Sequence, residues 1–198
     1  MEHTVDTTGK RVGMWLFLYT ELMLFGGLFV IYANYYHRYT EDFIAGGQTL
    51  SMPIGAFNTI LLLASSFTVA ASITAIRKGT PKTAVLFLGA TILMGLGFLV
   101  NKYFEWGAKF DHGIYPGSPD LAAGPQGQTI FYGLYYTITG LHGLHVVIGL
   151  ALLSVCATLI WRGRINQEKD IVLENSGLYW HLVDLIWIFI FPLFYLIL

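Results

Sequence analysis

Five ionisable side chains sit inside long apolar runs of this chain: Glu21, His142, His145, His181 and Asp184. An ionised group in hydrocarbon is costly unless it is paired, hydrated or neutralised, so chemistry would show at these positions. His142 and His145 are three residues apart, as are His181 and Asp184, which puts each pair on one helical face. That spacing permits three readings. The first is metal or heme ligation, an imidazole binding through one nitrogen while a carboxylate orients it through the other. The second is a polar clamp, with His181 and Asp184 pairing with each other or with His142 or His145 across a bundle. The third is a proton relay. Glu21, about ten residues into its run, could carry or buffer protons, or could be a protonated carboxyl bonded to a neighbouring helix. Glu105 lies at the end of another run, near the interface. A bis-histidine heme draws its ligands from opposite ring faces, so three intramembrane histidines allow at most one such heme.

The elements that must position these groups follow from composition. Of 198 residues, 55% are apolar and only 12% charged, with a mean hydropathy of +0.61, whereas a soluble domain carries about a quarter charged residues to solvate its surface. A bilayer core about 30 Å thick takes about 20 apolar residues in a helix. Five such runs occur, at about residues 12–33, 54–76, 83–101, 129–161 and 177–198. The chain therefore reads as an all-α membrane protein, a single membrane domain over residues 1–198 built as a bundle of five transmembrane helices. The first run follows Lys10-Arg11, exceeds the length of a signal peptide's apolar core and contains Glu21, so it reads as a retained helix. The N-terminal segment and the second and fourth loops hold eight Lys and Arg, against three on the other side, Arg38, Lys102 and Lys109. The positive-inside rule then puts the N-terminus in the cytoplasm and the C-terminus on the outer face.

Ala64, Thr68 and Ser72 form a small-residue ridge at four-residue spacing on the second run, and Gly133, Gly140, Gly143 and Gly149 smooth the fourth. A net charge of −1 supplies no basic excess for nucleic acid. The single cysteine, Cys156, can make neither an intrachain disulfide nor a thiolate cage. No nucleophile elbow, phosphate loop or Cys-x-x-Cys occurs, and the ligand set is too small for a membrane di-iron site. No internal repeat is visible, and an odd count of spans argues against a paired-repeat transporter.

Five motifs, in order along the chain, add a resemblance. They are Tyr19-Thr20-Glu21-Leu22-Met23-Leu24-Phe25, Phe57-Asn58-Thr59 running on to Ser65-Ser66, Tyr103-Phe104-Glu105-Trp106, Thr139-Gly140-Leu141-His142-Gly143-Leu144-His145, and Tyr179-Trp180-His181-Leu182-Val183-Asp184. Together they resemble subunit III of heme-copper terminal oxidases along the whole membrane-embedded length.

The resemblance implies a non-catalytic subunit of a respiratory oxidase, here a short five-helix bacterial form in the cytoplasmic (inner) membrane. Such a subunit binds no heme or copper itself and flanks subunits I and II of the complex, which reduces oxygen and pumps protons. It implies that Glu21 is the family's buried, carbodiimide-reactive carboxyl, sustaining proton uptake and protecting the catalytic subunit from turnover-linked inactivation. It implies a phospholipid site in which Arg162 contacts a headgroup phosphate, a role that fits a guanidinium at a helix end. It adds Glu174 and Glu105 to the intramembrane polar network of His142, His145, His181 and Asp184. The family's first two helices have no counterpart here. Cytochrome c is the expected electron donor, and subunit III of a ubiquinol oxidase or the homologous accessory protein of a nitric oxide reductase is the alternative. From other classes, a freestanding proton-coupled transporter using Glu21 and Asp184 and a small b-type cytochrome are the rivals.

Overall fold

The computed structural model describes residues 2–196, and all their regular structure is helical. The helices are α1 (Glu2–Arg38), α2 (Thr40–Gln48), α3 (Met52–Arg77), α4 (Pro81–Asp111), α5 (Pro119–Ala122), α6 (Gln126–Trp161) and α7 (Ile171–Tyr195). Five are long and apolar enough to cross a membrane: α1 from Thr8 onward, α3, α4, α6 and α7. Helix is the state these sequences must take in lipid, because no water is present to satisfy open backbone groups. Their hydroxyls follow the same rule by folding back on the helix: Thr59 donates to the Gly55 carbonyl, Ser72 to Val69 and Ser154 to Leu150. Gly79, Gly113 and Gly163 stop α3, α4 and α6 with φ of +74°, +69° and +69°, a left-handed step that glycine takes without penalty.

The helices run beyond the apolar runs. The stretch from Asn34 to Met52, which reads as a loop, holds the end of α1 and all of α2, and Phe43 of α2 is fully buried. α4 continues through Lys102 to Asp111, and α7 starts at Ile171, ahead of its apolar stretch. In each case a hydrophobicity boundary ends where the backbone does not, since charged or small residues are helical wherever their faces find partners. Residues 197–198, the end of the fifth apolar run, lie outside the described residues.

Helices α3, α4, α6 and α7 form the core, with α3 and α4 most closely paired, while α1 lies at the margin against α7 and α6. On α3 the buried ridge is Gly55, Asn58, Leu62, Ser65, Val69 and Ser72. This corrects the expected ridge: Ala64 faces out, Thr68 is half-buried toward α4, where its hydroxyl meets that of Thr91 at 2.7 Å, and Ser72 alone is fully buried. Trp180 of α7 fills the centre. Its indole lies over Gly95 of α4 and Gly149 of α6, where an added Cβ would come within 2.9 and 2.7 Å of the ring, and its Nε1 donates to Ser65 Oγ at 2.9 Å. Glycine is required at both positions for this close approach.

Candidate functional site

The polar residues singled out in the sequence fall into separate groups at different levels of the bundle. The first joins α1 to α6. Glu21 Oε2 lies 2.9 Å from His145 Nε2, with the side chains 15% and 9% exposed, and His145 Nδ1 lies 2.7 Å from the Leu141 carbonyl oxygen. Phe25 meets the imidazole edge-on and the Tyr179 ring stacks on it. Glu21 therefore faces protein at one oxygen and the edge of the bundle elsewhere.

His142 shares the helical face of His145 but not its chemistry. It is fully buried between Phe98 and Trp187, and neither ring nitrogen has a hydrogen-bond partner among the described residues. His181 and Asp184 are likewise on one face without pairing. His181 Nδ1 meets Ser66 Oγ at 2.5 Å. The Ser66 hydroxyl also lies beside Asp184, but both Asp184 carboxylate oxygens are buried without a hydrogen-bond partner among the described residues. Among the described residues no three His, Cys, Asp or Glu side chains come together.

A second buried cluster surrounds Glu105. Its Oε1 accepts from the hydroxyls of Tyr135 and Tyr195, both at 2.6 Å. Lys102 donates to the same two hydroxyls at 2.9 Å each and lies 3.4 Å from Glu105 Oε2. The network ties α4 to α6 and α7 and satisfies all three ammonium protons. Its neighbour Lys109 donates to Thr49 Oγ1, which in turn meets Tyr132. Sequence reasoning gave Lys102 to a loop, read Tyr135 as an interfacial or packing residue and did not single out Tyr195. The signal was present in spacing: buried positions on α4 fall at Ala84, Leu88, Thr91, Gly95, Phe98, Lys102, Glu105 and Lys109, one unbroken stripe of alternating fours and threes.

Glu174 belongs elsewhere again, at the end of the bundle nearest the start of α1. It accepts from Arg11 at 3.0 Å and lies 3.7 Å from Arg77, whose Nε donates to Asp170 at 2.8 Å. These residues join α1, α3 and α7 through partly exposed ion pairs. Arg162 caps α6, exposed, beside a shallow groove lined by Ser154, Val155, Thr158 and Leu159.

Five apolar spans with separate groups of buried polar residues between them define an integral membrane protein, and comparison with known proteins names its kind. The model of the cytochrome c oxidase subunit III family matches residues 2–197, and the chain belongs to that family. It is 32% identical to cytochrome bo(3) ubiquinol oxidase subunit 3 of Pseudomonas aeruginosa, over 98% of this chain and 88% of that one. Cytochrome c oxidase subunit 3 of Bacillus sp. (strain PS3) is also 32% identical, over the same shares, and quinol oxidase subunit 3 of Bacillus spizizenii is 31% identical, over 99% and 91%. The chain is thus subunit III of a heme-copper oxidase, a multi-pass membrane protein with a place in a multi-subunit oxidoreductase complex. Membership replaces the freestanding transporter.

Proposed function

We propose that this chain, a single membrane domain over residues 1–198, supports the oxygen-reducing subunit of a bacterial oxidase without carrying a redox centre. It flanks subunits I and II in the inner membrane, and the heme and copper lie in those partners. The N-terminus lies in the cytoplasm and the C-terminus outside, a reading that rests on the bias of Lys and Arg toward the N-terminal side. Glu21 is the proton-handling carboxyl. The observation that carries this role is its contact with His145, which brings a carboxyl at the bundle edge and an imidazole within direct hydrogen-bond reach of one shared proton. Away from this carboxyl, Glu105, Glu174 and His181 join helices through their own partners, while His142 and Asp184 are buried polar positions of the same bundle. Arg162 holds a phospholipid headgroup: its exposed guanidinium stands at a helix end beside an apolar groove, which suits bidentate contact with a phosphate.

Cytochrome c is the donor of choice, and ubiquinol is the second reading, favoured by the equal identity to the Pseudomonas aeruginosa bo(3) relative. The test is mild-detergent purification of the tagged chain, with mass spectrometry and a reduced-minus-oxidised spectrum of the eluate. A copurifying large heme-copper subunit is expected, and a copper-A subunit or cytochrome c beside it selects cytochrome c as donor. A colourless chain recovered alone overturns the proposal. For Glu21, the Glu21→Gln complex is expected to assemble, to consume oxygen at near the wild-type rate and to inactivate faster during turnover. Wild-type inactivation kinetics would remove Glu21 from that role.

A further inference from the structure

His145 is bonded through both ring nitrogens, and its two partners constrain where protons can be. The Leu141 carbonyl oxygen, 2.7 Å from Nδ1, can only accept, so Nδ1 carries a hydrogen. With that hydrogen in place, Nε2 of a neutral imidazole presents a lone pair. Glu21 Oε2 stands 2.9 Å away, and an ionised carboxylate presents lone pairs as well. A hydrogen bond at this distance needs one proton between them. It can rest on the carboxyl, leaving both groups neutral, or on the imidazole, giving an ion pair, and in either arrangement the pair has no net charge. From this geometry we infer that Glu21 and His145 are a one-proton site, and that the site is a terminus instead of a link in a relay.

Beyond the imidazole, no group among the described residues stands ready to carry a proton onward. A histidine passes a proton along by accepting at one nitrogen and releasing from the other. The Nδ1 exit of His145 is closed by a main-chain carbonyl, which takes no proton onward. From α7 the site is faced by Tyr179, whose hydroxyl donates to the His145 backbone carbonyl at 3.4 Å. From α1 it is faced by the apolar Phe25. On α6 the next titratable group is His142, and neither of its ring nitrogens has a hydrogen-bond partner among the described residues. The remaining approach is the Glu21 side, at the margin of the bundle, with Leu22, Met23 and Leu24 exposed around it. Exchange of the shared proton is confined to that side and passes through a pair carrying one negative charge until a proton returns, whereas a shift between Oε2 and Nε2 creates no net charge in the membrane. The inference deepens the proposed role of Glu21 and rests on it, assigning storage in place of conduction and making His145 the residue that positions the proton.

The test uses the intact oxidase complex with histidine labelled by 15N and glutamate by 13C. Solid-state NMR reads the two His145 nitrogens, assigned with His145→Leu or, where that variant does not assemble, His145→Asn. Infrared spectroscopy reads the Glu21 carboxyl, assigned with Glu21→Gln. The expected result is a hydrogen on Nδ1 together with a count of one at the contact: a protonated carboxyl facing bare Nε2, or protonated Nε2 facing a carboxylate. A count of zero or two, or an Nδ1 without hydrogen, overturns the site. His142→Phe is expected to leave both signals unshifted, and a shift of the Glu21 band in that variant overturns the terminus. The Glu21→Gln inactivation assay stands apart: wild-type kinetics there with a count of one defeats the proton role while leaving the one-proton site intact.

Discussion

At the residue scale, the buried polar atoms that lack partners are as informative as those that have them. His142 keeps two ring nitrogens without a hydrogen bond among the described residues while its faces pack on Phe98 and Trp187. An unsatisfied buried polar group costs about 1–3 kcal/mol, and an aromatic ring of similar shape would make the same packing contacts without that cost. The complex carrying His142→Phe is therefore expected to assemble in at least wild-type yield and to melt no lower than wild type. A clear loss of yield would mean that His142 has a polar partner in the assembled complex. His181 is a different case, since its bond is to Ser66 and not to Asp184. His181→Leu frees a serine hydroxyl that can turn back onto its own helix, so a loss of roughly 1 kcal/mol is expected, seen as a small drop in the melting temperature of the complex. These residues were legible in sequence because ionisable groups stand out in apolar runs. Their partners were not, because pairing Glu21 with His145 across 124 residues depends on how two helices are rotated against each other. Spacing of three put His142 beside His145 and Asp184 beside His181, but it could not say which member of each pair would be bonded.

At the element scale, α4 shows where an apolar-run reading stops short. A cut at Asn101 is natural when Lys102 is counted as a charge, yet the buried stripe continues through Lys102, Glu105 and Lys109 because the Tyr135 and Tyr195 hydroxyls receive the first two and Thr49 receives the third. The Lys102 and Glu105 side chains are 9% and 5% exposed, so removing one partner strands the other. Lys102→Met is expected to destabilise the bundle by about 3–5 kcal/mol, and replacing both residues with apolar ones of similar volume by clearly less, which thermal unfolding of the purified complex would separate. Equal losses in the single and double variants would show that the cluster is not an ion-pair network. The seat of Trp180 makes a second demand on α4 and α6. Gly149→Leu forces the indole off Gly149 and out of its bond with Ser65, and overpacking of this kind costs about 1–3 kcal/mol, again read as a lowered melting temperature. The glycines of α6 were legible as a smooth face, but only the fold separates Gly149, covered by Trp180, from Gly133 and Gly143, where, among the described residues, an added Cβ meets no other part of this chain within 4 Å.

At the scale of the whole molecule, the five spans were legible because bilayer thickness fixes their length, whereas the standing of α1 was not, since its hydropathy matches that of buried neighbours. α1 buries the smallest share of its apolar window of the five, only 11%, and touches the core along α7 and α6. It is held at three levels by contacts of three kinds. Arg11 meets Glu174 at one end, Glu21 meets His145 in the middle, and at the other end the Tyr32 hydroxyl donates to the Leu193 carbonyl within a cluster of Phe43 and Phe194. Arg11 and Tyr32 lie about 30 Å apart along the helix at 1.5 Å per residue, so these contacts share no partners and their losses should add. Arg11→Ala, Glu21→Gln and Tyr32→Phe are each expected to leave α1 docked, with the exposed ion pair the least costly to lose. The triple variant is expected to raise amide hydrogen exchange in α1 well above any single variant, with α3 and α4 unchanged. Exchange rising equally across all five spans would show that α1 is integral to the core, and no rise at all would assign its docking to apolar contact with α6 and α7 alone.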